Sequence, residues 1–155
     1  FGLSNKVRMP RIRSMSMSIW TGGRNPADGL GVDGGWGLGK PWRVFTKMGS
    51  FNNPGPSMTY VLLDERQDSI NDGFFVVEMT GYPDAPASTR MVDFPASYHN
   101  KAAGFSFADG HAEIKRWTNP KSMPPIVTTK TVPYDEPQPN NQDIIWMQEH
   151  STRLP

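Results

Sequence analysis

The sequence predicts an α+β fold that is mostly β: a small antiparallel sheet with long Gly/Pro-rich loops. Three observations carry that expectation. Residues 105–114 read as a hairpin about Asp109-Gly110, a dipeptide that tolerates the positive φ of a tight turn. Residues 58–63 (MTYVLL) and 74–79 (FFVVEM) are short apolar runs rich in β-branched and aromatic residues, the pattern of strands buried on both faces. The 15 glycines and 15 prolines among 155 residues exceed average usage, while 36% apolar residues keep the chain among globular domains with long irregular connections rather than disordered ones.

Each element follows in chain order. Residues 13–20 (RSMSMSIW) alternate strictly and predict a half-buried strand, with Met15, Met17 and Ile19 on one face and Ser14, Ser16 and Ser18 on the other. Residues 22–41 are glycine-rich and contain two motif-like spacings. Gly29, Gly31 and Gly34 fit GxGxxG, but no hydrophobic strand leads in and no helix follows. Residues 34–40 fit the opening of a phosphate-binding loop, but Pro41 stands where the metal-holding hydroxyl belongs, so nucleotide binding is rejected. The stretch is expected to be a surface loop pinned by Trp36 and Trp42. Residues 52–57 (NNPGPS) turn the chain into the first core strand.

Between the two apolar runs lies an acidic loop, residues 64–73 (DERQDSINDG), where Asp64, Glu65, Asp68 and Asp72 outnumber the single cation Arg66. Hard cations are held by several carboxylate and carbonyl oxygens, so this loop is the candidate calcium site. Its spacing does not match an EF-hand, and Asp64, Asp68 and Asp72 equally suit one solvated face of a helical turn or two. Residues 81–97 form a polar connection to the hairpin. Folding the hairpin tightly about Asp109-Gly110 sets Phe107 opposite Ala112 and Phe105 opposite Ile114. Its apolar face is then Phe105, Phe107, Ala112 and Ile114, against Ser106, Ala108, His111 and Glu113.

After Trp117 the chain becomes proline-rich, which divides it into a β-rich domain at residues 1–118 and an extended arm at 119–155. Within the arm, residues 127–132 are expected to add an edge strand through Val127, Thr129 and Thr131. Residues 142–150 are expected to make two helical turns capped by Asn141, with Ile145, Trp146 and Met147 docking on the domain. Such an arm also suits lying across a neighbouring copy.

Charge and composition exclude several classes. Lys and Arg total 16 against 15 Asp and Glu, and the one basic cluster is Lys6, Arg8, Arg11 and Arg13, read as a solvated edge; no nucleic-acid partner is expected. There are no cysteines, hence no disulfides or thiolate metal sites. No window approaches the roughly 18 apolar residues of a membrane span. The three histidines, His99, His111 and His150, lack HExxH spacing, no GxSxG elbow is present, and no enzymatic activity is expected.

His99, nine residues, then Asp109-Gly110 is similar to the H-X9-DG signature of bacterial prepilin-type proteins. Residues 98–117 (YHNKAAGFSFADGHAEIKRW) resemble the block around it, as do RSMSMSIWTGG, PGPSMTYVLLDERQDSINDGFF, DFPASYHN and QDIIWMQEHST in order. The resemblance implies a pilin-like globular head related to type II secretion pseudopilins and type IV pilins. It also implies a cleaved N-terminal segment, a long apolar helix that spans the membrane and then builds a filament core, and copies of the chain as partners. That helix has no counterpart in the sequence. The chain is therefore expected to be a head cut from a longer precursor or one encoded separately, meeting the membrane only through the missing helix. The expected function is a non-enzymatic structural subunit, extracellular or at the cell surface. The alternative is a small-ligand or carbohydrate-binding module that stacks sugars on Trp20, Trp36 and Trp42. Fully extended, residues 99–109 would hold His99 and Asp109 roughly 33 Å apart. Asp109 is accordingly expected to serve the turn and His99 to anchor its loop.

Overall fold

The expected hairpin exists, and the computed structural model builds the sheet outward from it; residues 14–22, 42–71, 73–127, 131–133 and 135–155 are described. β1 (Met15–Ser18), β2 (Tyr60–Asp64), β3 (Phe74–Phe75), β5 (Ala102–Phe107) and β6 (Ala112–Arg116) form one five-stranded sheet in the order β3-β1-β2-β5-β6. β4 (Arg90–Met91) and β7 (Glu136–Pro137) make a separate two-stranded ribbon, and α1 spans Gln142–Glu149. The fold is thus mostly β with a little helix. Three of the short 3₁₀ turns, Pro56–Met58, Pro86–Ser88 and Pro120–Ser122, open on proline, whose fixed φ and missing N–H suit a first helical position.

The sheet is mixed rather than antiparallel. β1 runs antiparallel to β2 but parallel to β3. The acidic loop returns the chain antiparallel to β2, and β1 lies between β2 and β3, so β1 and β3 must run in the same direction. The run 74–79 contributes only Phe74–Phe75 as strand; Val76 to Met79 continue as buried but unladdered chain. In β2 the register shifts between Tyr60 and Leu62, which leaves Val61 as the extra residue of a bulge. Because of it Tyr60 and Leu63, three apart, both face the core, opposite Phe107 and Phe105.

The hairpin register differs by one residue from the expected one. Phe105 faces Glu113, Gly104 faces Ile114 and Ser106 faces Ala112. The loop holds three residues, Ala108, Asp109 and Gly110, closed by bonds from Phe107 N–H to His111 C=O (2.9 Å) and Gly110 N–H to Phe107 C=O (3.0 Å). Only Gly110 of the three has positive φ, +94°, so the turn is not the two-residue type that needs two such residues. Ala108 is held out of the ladder because its N–H donates to Thr59 C=O (2.9 Å). Ile114 consequently stands 81% exposed on the outer face of the sheet instead of in the core.

β1 turns its serines rather than its methionines inward, while Ile19 just beyond it joins the core. Ser16 and Ser18 are buried, whereas Met15 is exposed and Met17 half-buried. Burying a hydroxyl is tolerated when it is hydrogen-bonded. Ser16 Oγ donates to Glu65, and Ser18 bonds the hydroxyl of buried Tyr60. The methionine side therefore joins the outer face. There a first row runs Met17, Leu62, Ser106, Ala112 across four strands, and a second joins Met15, Asp64, Gly104 and Ile114.

The inner face, Phe75 included, packs on Trp20, Trp117 and α1. Asn141 caps α1 as expected, its side chain accepting the Asp143 N–H (2.9 Å). Ile144 and Met147 are each 1% exposed within the same core cluster as Leu63 and Phe105, a burial that stabilises by about 1.5–3 kcal/mol per side chain. Residues beyond 118 thus complete the core of the β-rich part. Of the expected edge strand at 127–132, the described residues Val127, Thr131 and Val132 join no ladder, and residues 128–130, Thr129 among them, lie outside the described residues. Among the described residues of the arm the ladder is made by Glu136 and Pro137 on β4.

Candidate functional site

The three signature residues sit at the two ends of one strand. His99 belongs to the turn entering β5, and Asp109 and Gly110 to the loop leaving it. Six residues at about 3.3 Å each hold those ends roughly 20 Å apart, too far to share a ligand. The entering turn uses two successive left-handed residues, Asn100 (φ +55°) and Lys101 (φ +63°), conformations that cost of order 1–2 kcal/mol for residues with a Cβ. It is held by Lys101 N–H on Ser97 C=O (3.2 Å) and by Trp117 N–H on Lys101 C=O (2.8 Å). His99 projects exposed from this turn, its ring edge-on to Tyr98. The Tyr98 hydroxyl accepts the Gln67 N–H (2.7 Å) and so ties the turn to the acidic loop.

At the other end Asp109 works on His111. Its Oδ1 accepts the His111 backbone N–H (3.1 Å) and meets His111 Nδ1 at 2.5 Å. Glu113 Oε1 lies 3.4 Å from His111 Nε2. The imidazole stacks flat on Phe107, with centroids 4.3 Å apart and planes at 11°. The hydrogen bond to Asp109 pushes the His111 pKa up, against some desolvation, with the charges of Asp109 and Glu113 adding to the rise. The same bond, with the backbone N–H, holds the Asp109 carboxyl below its ordinary range. Beyond Phe107 the aromatic contacts continue to α1: His150 meets Phe107 edge-on at 5.9 Å and stacks on Trp146 at 4.3 Å, and Lys115 Nζ lies over Trp146 at 5.0 Å.

The acidic residues proposed for calcium are dispersed onto protein donors. Asp64 Oδ2 accepts the Gly104 N–H (3.1 Å), and Glu65, buried, accepts from Ser16. Asp68 pairs in two-point fashion with Arg66, Oδ1 to Nε at 2.6 Å and Oδ2 to Nη2 at 2.8 Å. Burial pushes the Asp68 pKa up, but the Arg66 bonds and the Val127 N–H outweigh it and hold the carboxyl below its usual range. Asp72 lies outside the described residues. Among the described residues no group of three or more His, Asp or Glu is placed to hold a metal ion.

The tryptophans proposed as sugar platforms are placed differently from that expectation. Trp20 is fully buried, its Nε1 donating to Val77 C=O (2.9 Å), and Trp42 is a core residue beside Tyr82. Trp36, the glycine-rich loop around it and the basic residues before Ser14 lie outside the described residues. A shallow polar depression beside the start of α1 is lined by Thr118, Asn119, Pro120, Asn140 and Gln142. The carboxylate of nearby Asp143 is already occupied by the Thr118 N–H and hydroxyl and the Asn119 N–H.

Two polar clusters had no visible signal in the sequence. Arg66 and Asp68, 0% and 1% exposed, fasten the proline-rich arm: Arg66 donates to Pro124 C=O (2.7 Å) and Pro125 C=O (3.0 Å), and Asp68 accepts the Val127 N–H (2.7 Å). Arg90 joins Asp135 (2.5 Å) to buried Glu78 (3.8 Å), whose pKa burial raises. The first partners are 58 residues apart and the second 45, and the acceptors on the arm are largely backbone, so no residue pattern announces them.

No protein-family model, curated protein or solved structure matches the chain. Among the described residues no helix is long and apolar enough to cross a membrane.

Proposed function

We propose that the chain is the globular head of a structural subunit of a bacterial extracellular filament, of the type IV pilus or type II secretion pseudopilus kind, non-enzymatic and repeated along the assembly. Support comes first from the outer face of the sheet. Met17 and Leu62 are half-buried there, Ser106 and Ala112 are small, and Met15 and Ile114 are 42% and 81% exposed. A sheet face in water ordinarily carries polar residues outward, and this face exposes methionine and isoleucine. A face with small residues at its centre and Met15, Met17, Leu62 and Ile114 about them, where the Asp64 carboxylate is taken up by the Gly104 N–H, suits an apolar helix of the kind that the H-X9-DG resemblance implies. The second support is the way the signature residues are used: Asp109 and Gly110 shape an exposed turn, and His99 projects from another, roles that belong to surface architecture. Gold labelling with antibody to this chain in electron micrographs of native surface material tests the proposal. Regularly labelled filaments are expected. Native material in which the chain occurs only as an unassembled monomer would overturn it.

A further inference from the structure

The hairpin tip holds a histidine whose two ring nitrogens both face carboxylates. His111 Nδ1 lies 2.5 Å from Asp109 Oδ1 and Nε2 lies 3.4 Å from Glu113 Oε1. A neutral imidazole donates from one nitrogen and carries a lone pair on the other, so the neutral ring must aim that lone pair at one of two anions. The imidazolium donates from both. Its positive charge also lies flat against the Phe107 ring, 4.3 Å away, where the π face attracts a cation. All three contacts strengthen together on protonation. We propose that the tip of the β5–β6 hairpin is an acid-tightened clasp, in which protonated His111 binds the turn to β6 and to Phe107 and its deprotonation loosens the tip.

The groups around His111 agree with this. The turn contributes Asp109 and β6 contributes Glu113. On the β5 side the ring meets Phe107, and Ser106 and Ala108 beside it do not titrate. The segment 56–59, which accepts the Ala108 N–H, brings proline, serine, methionine and threonine and no titrating group. From the C-cap of α1, His150 faces the same Phe107 ring edge-on at 5.9 Å, and Lys115 of β6 lies over Trp146. The Asp109 bond, opposed by desolvation and reinforced by Glu113, raises the His111 pKa. A raised histidine pKa makes the contribution complete below the ordinary histidine value of about 6.5 and lost as pH rises through the folded value. Phe107 is 3% exposed and meets both His111 and His150, so the clasp ends on the same ring that the C-cap residue of α1 meets edge-on. The inference does not depend on filament formation.

The test is a proton NMR titration of the His111 ring in the full chain, alongside hydrogen exchange of the Gly110 and His111 amides corrected for intrinsic rates. The His111 midpoint is expected above that of a histidine in an unstructured peptide, and Glu113→Gln and Asp109→Asn should each lower it. Amide protection at the tip should fall as pH rises through the midpoint, and His111→Gln should make it independent of pH. Glu113 is on an exposed strand outside the turn, so Glu113→Gln alone suffices if Asp109→Asn disturbs the loop. A midpoint at or below the peptide value, or tip protection that stays flat through it, overturns the proposal.

Discussion

Replacing Arg66 with methionine removes the cation from a fully buried pair and leaves its partners in place. The guanidinium donates to both oxygens of Asp68, at 2.6 and 2.8 Å, and to the carbonyls of Pro124 and Pro125, at 2.7 and 3.0 Å. Arg66 and Asp68 are 0% and 1% exposed, so water cannot replace those bonds without opening the arm. Methionine keeps most of the apolar stem, and the loss is therefore electrostatic: an uncompensated buried carboxylate, worth about 3–5 kcal/mol. Against a total stability of about 5–15 kcal/mol for a domain, that is a large share. Urea unfolding followed by tryptophan fluorescence should show the midpoint falling by the corresponding amount. Arg66→Met with Asp68→Leu should recover part of the loss, because the charge is gone, but not all of it, because the part-buried proline carbonyls and Val127 N–H lose their protein partners. A single-variant loss under about 1 kcal/mol, the range of exposed pairs, would refute the buried clasp.

Further outcomes follow from the same structure. Gly110→Val should destabilise by about 1 kcal/mol or more in denaturant melts, since a β-branched residue resists φ of +94° although the space around it is open. Gly81→Ala should cost about 1–3 kcal/mol in the same melts, because its Cβ would stand 2.4 Å from the backbone oxygen of Ala85 at a φ of +82°. The depressed Asp68 pKa supplies stability that is present above the ordinary carboxylate value of about 3.9 and lost as pH falls through the lower folded value. Acid melts of the wild type should show that limb, and melts of Arg66→Met should lack it.

Local chemistry was the legible part of this fold. The Asp109-Gly110 turn, the strand around residues 15–18 and the Asn141-capped helix each rest on signals within a few residues. Register and facing depended on distant partners. The hairpin loop is one residue longer than Asp-Gly alone implies because Thr59 C=O claims the Ala108 N–H. The serines of β1 face inward because Glu65 and Tyr60 accept or exchange hydrogen bonds there, so alternation told which residues share a face but not which face is buried. Likewise the acidic loop looked like a cation site because Arg66 is a single charge in the sequence. In the fold that one charge neutralises Asp68, while Asp64 and Glu65 turn to other donors. The docking of the arm was invisible because its acceptors are backbone carbonyls, which every sequence has.

As the head of a filament subunit, the chain is expected to have the outer face of its sheet covered in the working assembly. The chain has no cysteine, so Ile114→Cys places a single thiol on that face, at a position 81% exposed in the structure. Its alkylation rate can be compared between the isolated 155-residue chain and native surface material carrying the same substitution. Rapid labelling of the isolated chain and strong protection in the native material are expected; equal rates in the two would mean that the face stays open and would overturn the proposed packing.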